Sequence, residues 1–163
     1  MDKKVKLIIL SVGIGTFMAS LDSSVVNLAM PLIKSDFQVT ISMVEWIITA
    51  YLLVVSSLLL TFGRIADLYG YKKVYLAGFA IFTAGSLLCG FSVNIIMLIA
   101  CRVVQALGAG MRFSTGPAII TNAVPPKSRG RALSITAIAV ALGLCTGPVV
   151  GGTLSTLFGW QSI

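Results

Sequence analysis

Between Val74 and Val93 the chain carries no charged residue, and the same holds from Trp46 to Gly63 and from Ala132 to Ile163. A helix needs roughly 20 mostly apolar residues to cross the hydrocarbon core of a bilayer, and a run of that length without charge offers no polar face to water. Two further stretches are nearly as apolar: Leu7 to Ile33, interrupted only by Asp22, and Ile95 to Pro126, interrupted only by Arg102 and Arg112. The expected fold is therefore an all-α integral membrane protein with five transmembrane helices, near 7–31, 45–66, 74–93, 95–121 and 132–157. The connections are short, so consecutive helices are expected to be antiparallel neighbours. Composition agrees: 57% of residues are hydrophobic and only 10% charged, against about 25% charged in soluble domains.

Several functions are excluded at this point. The chain has no histidine, which removes histidine catalysis and histidine metal ligation. Cys89, Cys101 and Cys145 lie in apolar stretches without ligand spacing, and read as small hydrophobes rather than a disulfide framework or a metal site. No paired-carboxylate constellation and no phosphate loop is present, so neither an intramembrane enzyme nor an ATP-driven pump is expected. Gly108-Ala109-Gly110 lacks the strand and the third glycine of a dinucleotide site.

The basic start and apolar run of the first segment also fit a secretory leader. The apolar character resumes past Asp22, however, and no clear small-residue cleavage site follows, so a membrane span is the preferred reading. Lysine and arginine placement sets orientation. Lys3, Lys4 and Lys6, then Arg64, Lys72 and Lys73, then Lys127, Arg129 and Arg131 fall on one side of an alternating bundle; the other side has Lys34 alone. Nine positives against one predicts a cytoplasmic amino terminus. The net charge of +7 is thus a topology signal and not a nucleic-acid footprint; attraction to anionic membrane lipid is secondary.

Ionisable groups at membrane depth cost a few kcal/mol and need a reason. Asp22 lies about 22 Å along a helix starting at Leu7, past the midplane of a ~30 Å core. It is either a structural group reaching an interface or a functional proton or cation site, and its short side chain favours the second. On span four, Arg102, Gln105, Ala109, Arg112 and Gly116 fall within about 80° of arc at 100° per residue. Such a stripe faces a water-filled cavity or forms a polar seam between helices, and Arg102, Gln105 and Arg112 are expected to share one cavity. On span five, Gly143, Gly147 and Gly151 recur at four-residue spacing, with Pro148 and Gly152 beside them. Small residues so spaced let two helices approach closely. The segment from Gly63 to Lys73 is expected to form a tight turn in which Gly63 and Gly70 supply unusual backbone angles and Asp67 either caps a helix or sits in a solvated basic loop.

Read together, these segments resemble the major facilitator superfamily. Gly63, Ala66, Asp67, Gly70 and Lys72 match its signature between helices two and three, G-x-L-A-D-R-x-G-R-[RK]; Leu68 and Tyr71 replace usual basic residues. Arg102-Val103-Val104-Gln105-Ala106-Leu107-Gly108 is similar to the helix-four motif R-x-x-Q-G-x-G. Gly143, Gly147, Pro148, Gly151 and Gly152 match the helix-five motif of exporters, G-x-x-x-G-P-x-x-G-G. Leu21-Asp22 through Val25-Val26-Asn27 to Pro31 resembles L-D-x-T-V-V-N-V-A-L-P, a first-helix motif of the fourteen-helix drug:proton antiporters. Four motifs fall in the expected order, and the resemblance covers the whole chain.

The resemblance implies a partial amino-terminal helix bundle of a larger transporter, with the sixth helix and later halves lying beyond residues 1–163. It implies secondary active export of drugs or other amphipathic compounds, cations among them, by alternating access. A proton gradient is the energy source, and no cofactor is needed. Under it, Arg102 and Asp22 are proton-coupling residues, with Gln105 beside them. Gly63, Asp67, Gly70 and Lys72 belong to a gating loop, and the helix-five glycines to a packing motif. Arg112 lies outside these motifs. Competing readings are uptake of a sugar or anion by symport, which two arginines would suit, and a membrane scaffold that does not transport.

Overall fold

The computed structural model describes residues 3–162. Its framework is five long helices: α1 (Lys3–Phe37), α2 (Ile41–Tyr69), α3 (Tyr71–Gly90), α4 (Ile95–Ala123) and α5 (Arg129–Phe158). Each is long and apolar enough to cross a membrane. Short 3-10 turns at Pro126–Ser128 and Trp160–Ser162 flank α5.

The breaks between helices follow local chemistry. Gln38 enters the left-handed region (φ 51°) and stops α1. Asn94 caps α4, its side chain accepting a hydrogen bond from the Met97 amide at 2.8 Å. α3 ends at Gly90, three residues short of the expected span, because the chain turns out through Phe91 to reach that cap.

The expected loop from Gly63 to Lys73 is largely not a loop. α2 remains helical through Tyr69 and α3 starts at Tyr71, leaving Gly70 as a one-residue corner with φ 94°. That angle is one that residues with a Cβ seldom adopt. Gly63 lies within α2 with open space around it, so no unusual backbone angle explains its glycine. Asp67 does not cap α3, whose capping residue is Gly70.

Of the expected sequential neighbours, only α3 and α4 lie closely side by side. The extensive contacts are α3 with α4, α1 with α5, and α2 with α4. α1 with α2, α2 with α3 and α4 with α5 meet only sparsely. A short connection requires only that adjoining ends be close; where helices lie side by side is decided by which faces permit close approach. Those faces are small-residue seams. A Cβ at Gly143 would lie 2.7 Å from the Phe17 carbonyl oxygen, and one at Gly151 2.9 Å from the side chain of Val25, which marks the α1–α5 seam. A Cβ at Gly85 would lie 2.7 Å from the Gln105 Cα, and one at Gly108 2.8 Å from the Phe82 Cα, which marks the α3–α4 seam. Gly152, the last glycine of the helix-five motif, has room for a Cβ.

Two apolar clusters hold the ends of the bundle. Ile9, Val12, Tyr75, Ile120 and Ala132 pack at the end that carries the basic segments. Val26, Ile33, Val44, Ile47, Leu98 and Trp160 pack at the other. Alternating helix direction follows from this division, because α1 contributes its first half to one cluster and its second half to the other. α4 is the most buried helix and contacts all four others. A polar group on its inner face is therefore surrounded by protein.

Candidate functional site

Asp22 sits near the middle of the 35-residue α1, where no water-filled interface is within reach of so short a side chain. It faces α4. One guanidinium nitrogen of Arg102 lies 2.8 Å from Oδ2 of Asp22 and also donates to Oε1 of Gln105 at 2.7 Å. The Gln105 amide in turn donates to Oδ1 of Asp22 at 2.9 Å. Three side chains thus close a triangle between two helices. Arg102 and Gln105 are three residues apart, the spacing that puts two side chains on one helix face.

The triangle is the only ion pair among the described residues. Arg102 is 7% exposed and Gln105 1%. Burying two charges is unfavourable unless the pair is close and its remaining hydrogen-bonding capacity is met. Gln105 does the latter, donating to the carboxylate and accepting from the guanidinium. Nε of Arg102 is left without a partner. α3 keeps Gln105 in place, since Gly85 brings its backbone against that residue.

Beside the triangle is a cavity of about 30 Å³ whose wall includes Asp22, Arg102 and Gln105. That volume is about one water molecule's share of the liquid. Larger cavities, of about 170 Å³ against Asp22 and Arg102 and of about 260 Å³ against Asp22, lie on the triangle's other sides; the small one has the size for a single water. Trp160 and Gln161 bound the same cavity toward the far end of the bundle. Trp160 donates from its indole to Asp36 at 2.7 Å and stands edge-on to Phe37, with ring centres 5.2 Å apart. The Asp22 carboxylate is the charge that balances Arg102 and ties α1 to α4.

Arg112 does not join this group. It lies ten residues, or about 15 Å, farther along α4, and borders a separate cavity with Thr16, Tyr75 and Thr136. Its Nη2 donates to the Gly15 carbonyl, and its guanidinium carbon sits 5.0 Å and 4.7 Å from the ring centres of Phe79 and Phe82. A shared arc on the helix surface therefore yields two environments, not one cavity, because α1 crosses α4 with Asp22 at one level and the Gly15 backbone at the other.

At the α2–α3 corner, Asp67 is exposed and accepts a hydrogen bond from the Tyr71 hydroxyl; Lys72 is exposed beside it. Gly143, Gly147 and Gly151 face α1, where the Ser24 hydroxyl donates to the Leu144 carbonyl at 3.2 Å. Pro148 is exposed within α5. The three cysteines are free, Cys101 buried and Cys145 exposed.

Sequence reasoning gave Tyr75, Asp36 and Trp160 no part in a site. The signal for Tyr75 was faint, a tyrosine just inside an uncharged run. Trp160 pairs with a residue 124 positions away, and no local pattern announces such a contact.

A model of the Major Facilitator Superfamily matches residues 12–163. The chain is 43% identical over 157 residues to the riboflavin transporter RibZ of Clostridioides difficile, covering 96% of this chain and 34% of that protein. It is 35% identical to the multidrug resistance protein Stp of Mycobacterium tuberculosis, over 100% of this chain and 30% of that one. It is 36% identical to the methylenomycin A resistance protein of Bacillus subtilis, over 96% of this chain and 34% of that one. The chain thus spans about a third of the length of these relatives.

Proposed function

The chain belongs to the major facilitator superfamily, and from that premise we propose that it works in proton-coupled export of drugs or other amphipathic compounds across the cell membrane. The observation that carries this reading is the buried Asp22–Arg102–Gln105 triangle. It is a carboxylate poised against a cation at membrane depth, beside a cavity the size of a water. We assign it to proton coupling, with the cargo bound elsewhere between rocking halves. Proton uptake at Asp22 releases Arg102, and the altered α1–α4 contact biases the bundle toward its other conformation. The proton gradient takes the place of a cofactor. The glycine seam between α1 and α5 supports export, since close packing there limits leakage through the bundle.

Cargo class follows from two sources. The multidrug and methylenomycin resistance relatives point to varied amphipathic compounds. The riboflavin transporter points to a planar heteroaromatic without need of a positive charge. The fourteen-helix drug:proton antiporters remain the branch whose first-helix motif this chain resembles.

The test is uptake of a fluorescent cationic dye into everted membrane vesicles from cells expressing the gene that encodes this chain. Acidifying the vesicle interior is expected to drive saturable dye accumulation, and a protonophore to collapse it. Accumulation that survives the protonophore would remove proton coupling.

Orientation is part of the same proposal. The segments bearing Lys3 to Lys6, Arg64 to Lys73 and Lys127 to Arg131 are assigned to the cytoplasm by their positive charge. A reporter enzyme that functions only in the cytoplasm should be active when fused at Lys73 and silent when fused at Asn94. The reverse pattern would invert the bundle.

A further inference from the structure

Arg112 is the buried charge that the coupling triangle leaves unused. It is 5% exposed, and no carboxylate pairs with it among the described residues. Nη2 is bonded to the Gly15 carbonyl, but Nε and Nη1 have no hydrogen-bond acceptor. The faces of Phe79 and Phe82 flank the guanidinium. Aromatic faces attract the cation and hold its orientation; they do not neutralise it. An unbalanced cation inside an apolar bundle is unfavourable, and the local potential it creates is positive.

Next to this cation lies a cavity of about 210 Å³ enclosed by α1, α3, α4 and α5. Its wall is mostly apolar, with Val12, Phe113 and Val140 among its members, and it carries the polar side chains of Thr16, Tyr75 and Thr136. Gly15 makes the arrangement possible. A Cβ there would stand 3.0 Å from Nη2 of Arg112 and closer still to the Tyr75 hydroxyl. An apolar chamber with a few hydroxyls and a single unpaired guanidinium suits an amphipathic molecule with one negative charge.

We infer that Arg112 and the cavity beside it form a binding site for the carboxylate or phosphate head of an amphipathic monoanion. The anion supplies the acceptor and the countercharge that the bundle lacks, and its apolar body fills the chamber between α1, α4 and α5. The site is separate from the Asp22 triangle and stands whether or not the protein exports drugs. The same head-group chemistry is found in a soluble organic acid and in an anionic phospholipid.

The 163-residue chain in discs of phosphatidylcholine tests this with naphthoate as the probe and uncharged naphthamide as its control, by equilibrium dialysis. Saturable naphthoate binding is expected, with naphthamide weaker by about tenfold or more, as loss of a charge-assisted contact implies. Arg112→Gln should weaken naphthoate to the level of naphthamide. Thr136→Leu fills the chamber from α5 without altering the charge and should weaken both probes, which keeps the test decisive if Arg112→Gln does not fold. Lipid extracted with the purified chains separates the two sources. Phosphatidylglycerol retained by the wild type and missing from Arg112→Gln identifies a head group; equal lipid in both identifies a soluble anion. Absence of saturable naphthoate binding, equal binding of the two probes, or unchanged naphthoate binding in Thr136→Leu would overturn the inference.

Discussion

Asp22→Asn is expected to abolish gradient-driven dye accumulation while leaving the protein in the membrane. Asparagine has nearly the shape of aspartate, so its side-chain oxygen can still accept from Gln105 or from Arg102. What it loses is charge and the ability to take up a proton. Arg102, 7% exposed and already short of one acceptor, is then a buried cation without a counter-ion. Breaking one side of a buried pair costs about 3–5 kcal/mol when the remaining charge is fully desolvated. The retained hydrogen bonds place the asparagine variant below that range, and Asp22→Leu within it.

Asp22→Leu combined with Arg102→Met tests the separation of stability from coupling. Replacing both charges by apolar groups is often neutral or stabilising, so the double variant should regain thermal stability in detergent and still fail to couple transport to the gradient. Dye accumulation that persists in Asp22→Asn with unchanged pH dependence would take the triangle out of the mechanism.

The second large effect is expected at the α3–α4 seam. Gly108→Ala would put a methyl group 2.8 Å from the Phe82 Cα, and Gly85→Ala would put one 2.7 Å from the Gln105 Cα. These neighbours are backbone atoms on a facing helix, which cannot rotate away. Relief requires the helices to separate. Overpacking of this kind costs about 1–3 kcal/mol and occasionally more, and backbone contacts fall at the high end. Gly85→Ala also displaces Gln105, so it should reduce proton coupling beyond its effect on stability. Gly63→Ala and Gly130→Ala meet open space within helices and should keep thermal stability or raise it by up to about 1 kcal/mol. Equal melting temperatures for all four variants would show that α3 and α4 are not held by close backbone approach.

The one-residue corner at Gly70 bears on how much a motif match conveys. The motif places Asp67 among cations, yet Tyr71 stands where a basic residue is usual and donates a hydrogen bond to it. A phenol meets the carboxylate's need for a donor without adding charge. The match in residue types was legible; the helical continuation through Tyr69 was not, because the basic and polar character of Arg64 to Lys73 is what a loop shows as well.

Length, hydropathy and charge by themselves determined that this chain has five helices fit to span a membrane, for a reason that needs no tertiary information. Backbone amides in hydrocarbon must be bonded within a helix or around a closed barrel, and barrel strands alternate apolar and polar residues over about ten positions, so a continuous uncharged run of about twenty is left with the helix. The anomaly of Asp22, Arg102 and Arg112 was equally plain, since a charge in such a run is unfavourable wherever it points. Helix direction alone, however, says nothing about which faces meet. That α1 lies along α5 was decided by a glycine seam whose partners lie more than a hundred residues away, as Gly143 does from Phe17, and that α4 lies against α3 by a second seam, of Gly85 and Gly108. The same crossing of α1 over α4 parted two arginines that share one stripe. At one level it set a carboxylate opposite Arg102, and at the other only the backbone of Gly15 opposite Arg112. Helical periodicity gives the angle at which a side chain leaves its helix, whereas the group it meets there depends on the axial register of a second helix, which only packing establishes.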